Sequence, residues 1–107
     1  MTTYKGWTKK RTGTSFKGYV VATYQQLVAA FGLPTIWGDG DKIDVEWIID
    51  TPHGIATIYN YKDGKTYLGE KGMAIEQICE WHVGAKAVEP YQWTKKQISD
   101  KQIQRMT

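Results

Sequence analysis

With 107 residues, 41% hydrophobic and 23% charged side chains, the chain has material for one domain around a single modest core and too little for two. It has no apolar run near the ~20 residues that span a bilayer, no apolar stretch behind its basic N-terminus, and one cysteine, Cys79, so the expectation is a cytoplasmic protein without membrane span, signal peptide or internal disulfide. The net charge of +3 is unevenly laid out: residues 1–38 carry five basic side chains and no acid, residues 39–84 nine acids against four lysines, and residues 85–107 five basic side chains against two acids.

Residues 1–13 mix Gly and Thr with Lys5, Lys9, Lys10 and Arg11 and have no periodicity, which predicts a flexible basic arm ahead of a single α+β domain over residues 14–107. Ser15–Ala22 (SFKGYVVA) has the β-branched and aromatic content of a short strand. In TYQQLVAAFGLP, Thr23 and Gln26 form a capping box, Leu27, Val28, Ala30 and Phe31 an apolar stripe, and Gly32 and Pro34 a stop signal, so a helix runs from Thr23 to Phe31. TIWGDGDK is a loop. In KIDVEWIID, Ile43, Val45, Trp47 and Ile49 alternate with Asp44, Glu46, Ile48 and Asp50, the pattern of a strand with one buried and one wet face. TPHG turns the chain, and IATIYNY returns as its antiparallel partner.

The next stretch, KDGK between IYNY and TYLG, pairs Asp with Gly between β-rich runs and predicts a type I′ reversal into a further strand. A phosphate cradle would need several glycines leading into a helix N-terminus, and no helical pattern follows. MAIEQI fits one helical turn, and EWHVGAKAV, with Trp81 and Val83 in alternation, fits a final strand. After Pro90, a C-terminal helix is expected from near Thr94, capped by Thr94 and Gln97; its apolar stripe is only Ile98, Ile103 and Met106, which makes it a candidate for self-association. The fold class is therefore α+β, a three- to four-stranded antiparallel sheet packed by one helix from the N-terminal half, plus a C-terminal helix.

No catalytic or metal constellation emerges, and no cofactor is expected. Glu76, Cys79 and His82 have helical spacing but lack the second cysteine pair of a structural zinc site, and Cys79 reads as a buried apolar side chain. Asp44 and Glu46 share the wet face of their strand and read as solvated. Asp39 and Asp41 lack the spaced ligands and terminal Glu of a calcium loop.

Five Trp and seven Tyr against two Phe point instead to binding, since these rings combine an apolar body with a polar handle and favour interfaces. The candidate contact residues are Trp37, Tyr59, Tyr61, Lys62, Lys65, Tyr67, Trp81 and His82, with the basic arm residues Lys5, Lys9, Lys10 and Arg11. Tyr59, Tyr61 and Tyr67 with Lys62 and Lys65 could stack bases on a sheet, although the same sheet carries many acids and no RNP-type aromatic motif is present.

The stretches TYQQLVAAFGLPT, WGDGDKIDVEWII, ATIYNYKDGKTYLGEKG and EWHVG resemble a group of small proteins encoded by tailed bacteriophages and prophages, in which stretches similar to ATIYN-KDGK-YLG and WHVGG recur. The resemblance runs roughly from Ser15 to Lys86, and Ala85 stands where the group would place a second glycine. It brings no activity, cofactor or catalytic residue. What it implies is a phage context, in which small accessory proteins bind a host protein or a defence-system component. The expected function is thus a non-enzymatic phage-type interaction protein that inhibits a host defence or other host factor. The alternatives are a small nucleic-acid binder using the basic termini and sheet aromatics, and a protein that sequesters a nucleotide signal.

Overall fold

The computed structural model describes residues 1–106, with side chains up to Gln104. It is α+β, as the alternation and capping signals indicate, but its antiparallel sheet is larger than the expected three or four strands. The strands are β1 (Thr2–Thr3), β2 (Ser15–Val21), β3 (Ile36–Trp37), β4 (Val45–Thr51), β5 (Gly54–Tyr59) and β6 (Glu80–Ala85), in the spatial order β1-β4-β5-β6-β2, with β3 beside β1 on the free edge of β4. The two extra strands are two residues long and come from the N-terminal segment and the Gly/Asp loop, too short to leave a periodic signature.

One face of the sheet is the core. Val45, Trp47 and Ile49 of β4, Ala56 and Ile58 of β5, Trp81 and Val83 of β6 and Val20 of β2 pack there against Leu27, Phe31 and Ile98. Both buried indoles keep their N–H satisfied: Trp47 donates to the Gly32 carbonyl at 2.9 Å and Trp81 to that of Ala22 at 2.8 Å. Helix α1 (Tyr24–Phe31) has the predicted box, with the Thr23 hydroxyl accepting from the Gln26 N–H and the Gln26 side chain from the Thr23 N–H, and Gly32 ends it at φ 82°.

Several expectations are corrected. The C-terminal helix, α3 (Val88–Met106), begins six residues before Thr94, because Pro90 falls in its first turn, where no N–H is needed. Thr94 is therefore no cap; its hydroxyl donates back to the Pro90 carbonyl at 2.8 Å. The earlier start brings Pro90 and Thr94 into the buried set with Ile98, and Tyr91 and Trp93 against the core, so the helix docks more fully than its expected stripe allowed. Thr107 and the side chains of Arg105 and Met106 lie outside the described residues.

Nor does the Asp-Gly pair reverse into a strand. TYLG lies in the single-turn helix α2 (Lys65–Leu68), whose first N–H groups, of Lys65 and Thr66, donate to the Asp44 carboxylate at 3.1 and 3.0 Å. Gly64 is extended (φ −100°) and is glycine because a Cβ would meet the Asp44 carboxylate at 2.2 Å; the positive φ belongs to Lys62. Asn60 is fully buried and ties this loop to the sheet, accepting from the N–H groups of Asp44 and Val45 and donating to Asp63.

The N-terminal segment, expected as a flexible arm, lies on the sheet. β1 pairs with β4, the Tyr4 N–H donates to Ile48, and a 3-10 turn at Lys9–Arg11 touches β5 on the face away from the core. Ile48 and Glu46, expected on a wet face, are buried there, and Asp44 caps α2 rather than standing solvated. Cys79, expected to be buried, is exposed next to the buried Ile78, one residue before β6.

Candidate functional site

Alternation along three strands builds the first candidate surface. Trp81 and Val83 face the core, so His82 faces the other way, and the register places Tyr19 of β2, His82 of β6, Tyr59 of β5 and Glu46 of β4 side by side in one row across the sheet. Phe16 and Tyr61 close the two ends of the patch, and the five rings line an open concavity of about 430 Å³. Their geometry is mutual: Tyr59 stacks on His82 at 5.4 Å and 26°, while Tyr19 meets His82 edge-on at 4.8 Å and Phe16 at 5.0 Å. Phe16 and Tyr19 remain 47% and 46% exposed.

Burial shapes the titration of this patch. It pushes His82 below its ordinary value, against the upward pull of the Asp63 and Glu80 carboxylates. It pushes Tyr59 up, with Glu46 adding to the effect. His82 thus sits among the rings as a neutral imidazole, and its Nδ1 is buried without a hydrogen-bond partner among the described residues.

A second site adjoins the first through Glu46. There Trp7, Trp37, Arg11, Glu46 and Asp39 line a cleft of about 660 Å³. Arg11 Nε donates to Glu46 Oε2 at 2.6 Å, and the two side chains are 35% and 7% exposed. Burial raises the Glu46 carboxyl, opposed by the hydrogen bond and charge of Arg11. Asp39 is exposed; its slight desolvation pulls it upward, but N–H donations from Ile43, Asp41 and Lys42 hold it below the usual carboxylate range.

The sequence-derived candidates divide accordingly. Tyr59, Tyr61 and His82 meet in the aromatic patch, and Lys62 lies over the Tyr61 and Tyr67 rings at 5.3 and 5.6 Å. Lys65 is exposed at the start of α2, and Trp37 belongs to the cleft. Trp81 is a core residue with no exposed surface, which removes it from any contact surface. Of the basic arm, Arg11 is engaged by Glu46, Lys10 lies over Tyr4 at 5.8 Å, and Lys5 and Lys9 are exposed. Phe16, Tyr19 and Trp7 are not among the sequence-derived candidates, and Glu46 is read there only as a solvated carboxylate. The alternation of Tyr19 with the buried Val20 carried a signal for Tyr19; Phe16 joins that face only through a bulge between Phe16 and Gly18, which alternation does not record, and nothing local marked Trp7.

Among the described residues no three His, Cys, Asp or Glu side chains gather to hold a metal, and no helix is long and apolar enough to cross a membrane. What the site offers chemically is stacking, apolar contact and a few fixed charges. No protein-family model matches the chain, and neither a curated protein nor a solved structure matches it.

Proposed function

We propose that the protein is a non-enzymatic interaction protein that acts in the cytoplasm of a phage host by binding a host or defence-system protein through the aromatic face of its sheet. One observation carries the reading: five rings from different parts of the chain converge on one open patch instead of joining the core. Rings that supply large contact area with few rotatable bonds are the usual anchors at the centre of interfaces. The charges nearby favour a protein over a polyphosphate, because Asp63 and Glu80 act on His82, against Lys62 at the rim.

The test compares capture from host lysate by the native chain, Phe16→Ala, Tyr19→Ala and, as a control away from the patch, Lys65→Ala. Expected is one host protein in near-stoichiometric yield with the native chain and the control, reduced at least about tenfold by either ring variant. Equal capture by all four would sink the reading.

Base stacking is a second use of the same rings, favoured by the near-parallel Tyr59–His82 pair. A single-stranded nucleic acid would then bind with an affinity that collapses between low and moderate salt, and a nucleotide signal would raise the melting temperature where inorganic phosphate does not. Indifference to oligonucleotides, nucleotides and salt dismisses both.

A further inference from the structure

The Trp7–Trp37 cleft stands apart from the aromatic patch in its chemistry. Of the five tryptophans, Trp47 and Trp81 are fully buried, whereas Trp7 and Trp37 are 66% and 59% exposed and line the same cavity. They arrive from separate elements. Trp37 is in β3, and Trp7 lies on a segment anchored at both ends, by the Tyr4–Ile48 hydrogen bond and the Arg11–Glu46 ion pair. Both backbones are therefore fixed before any ligand arrives, which lowers the ordering cost of binding.

The fixed charges decide what fits. A guanidinium beside two indoles would suit a nucleotide phosphate, but Arg11 is already matched by Glu46 at 2.6 Å. Asp39 adds a second carboxylate to the lining, and no further basic side chain lines the cleft among the described residues, so its formal charge is −1. The Asp39 Oδ1 is occupied by three backbone N–H groups, none of which uses Oδ2. Indole is also the aromatic ring that attracts cations most strongly.

We propose that the cleft between Trp7 and Trp37 is a binding site for an organic cation, an alkylammonium or guanidinium group held against the indoles with Asp39 as countercharge. The group belongs either to a free amine or to a basic side chain of another protein. This site does not depend on the aromatic patch, and either can fail without the other.

The experiment follows the indole N–H resonances of Trp7 and Trp37 at constant ionic strength during titration with choline, its neutral isostere 3,3-dimethylbutan-1-ol, N-acetylargininamide and AMP. Choline or N-acetylargininamide should shift both resonances saturably, while the neutral isostere and AMP should not. Tighter binding of choline indicates a free amine, and tighter binding of N-acetylargininamide a protein side chain. Trp7→Ala and Trp37→Ala, at exposed positions, should each weaken binding about threefold to thirtyfold without changing the melting temperature. Equal shifts from the neutral isostere, tighter binding of AMP, no saturable shift with either cation, or variants that bind as the native chain does would each overturn the proposal.

Discussion

Replacing Arg11 by Met tests the attachment of the N-terminal segment, because this one side chain ties the segment to the sheet through Glu46. The glutamate is 7% exposed and its oxygen lies 2.6 Å from the guanidinium. Unit charges about 4 Å apart at an effective dielectric of roughly 20 interact by about 4 kcal/mol, and stranding one member of a buried pair costs about 3–5 kcal/mol. Arg11 is 35% exposed, so solvent screens the pair and water can partly replace the guanidinium. The expected loss for Arg11→Met at neutral pH is therefore about 2–3 kcal/mol, a large share of the ~5–15 kcal/mol that holds a domain folded.

The pH dependence follows from the direction of the Glu46 shift. Its carboxyl is raised in the folded state by burial, so the native chain holds that proton more tightly than the unfolded chain. The resulting stability is fully present below the unfolded value, about 4.3, and is lost as pH rises through the folded one. Arg11 limits this loss, and without it the carboxyl rises further. The Arg11→Met deficit should be small near pH 4 and grow to its full size by about pH 7. Urea titrations of the native chain, Arg11→Met, Glu46→Gln and the double variant measure this. The double variant should regain more than half of the deficit and lose its pH dependence. A deficit equal at both pH values, or a double variant no better than Arg11→Met, would refute the reasoning.

Three other perturbations bear on the loop, the bulged strand and the aromatic patch. Asn60→Ala leaves the N–H groups of Asp44 and Val45 without their acceptor and should cost about 2–4 kcal/mol; a urea-derived loss under about 1 kcal/mol would contradict the assigned role. Gly18→Ala puts a methyl group 2.5 Å from the Tyr91 ring, which must move and give up its 2.9 Å bond to the Tyr19 carbonyl, so melting should report a loss of about 1–3 kcal/mol that largely vanishes in a Tyr91→Ala background. His82 should titrate below 6.5 in an NMR experiment, and its contribution to stability, present above that value, should fade as pH falls toward the folded midpoint; a midpoint at or above 6.5 is the contrary result.

Where a signal was local, it was legible. The Thr23–Gln26 box, the Gly32 stop and the alternation of Val45, Trp47 and Ile49 each lie within a few residues and needed no tertiary context. The Asp-Gly pair misled because its glycine answers to Asp44, twenty positions away, whose carboxylate both excludes a Cβ at Gly64 and caps α2. The start of α3 was hidden by Pro90, which reads as a breaker until it falls within the first turn. For the candidate site, Trp81 and His82 could not both face outward, since neighbours on a strand point to opposite faces, and the buried hydrophobic pairing decided for His82. Trp7 and the burial of Glu46 depend on a contact between positions 11 and 46 that no periodicity records.

The docked N-terminal segment also changes the weight of the functional readings. A free basic arm would carry its charges to a phosphate backbone, whereas here the segment is held by β1 pairing and Arg11 is matched by Glu46. Its attachment covers Ile48 and Glu46 of β4 and reaches β5, and leaves open the part of the second sheet face around Tyr59, His82 and Tyr19. The open part carries the five rings, and its boundary is the Tyr59–Glu46 step of the cross-strand row. The segment therefore sets the edge of the aromatic patch and supplies Trp7 and Arg11 to the neighbouring cleft. Apart from Lys62 at the rim of the patch, both surfaces combine rings with matched or acidic charges, which supports the proposed protein and cation ligands over a polyphosphate.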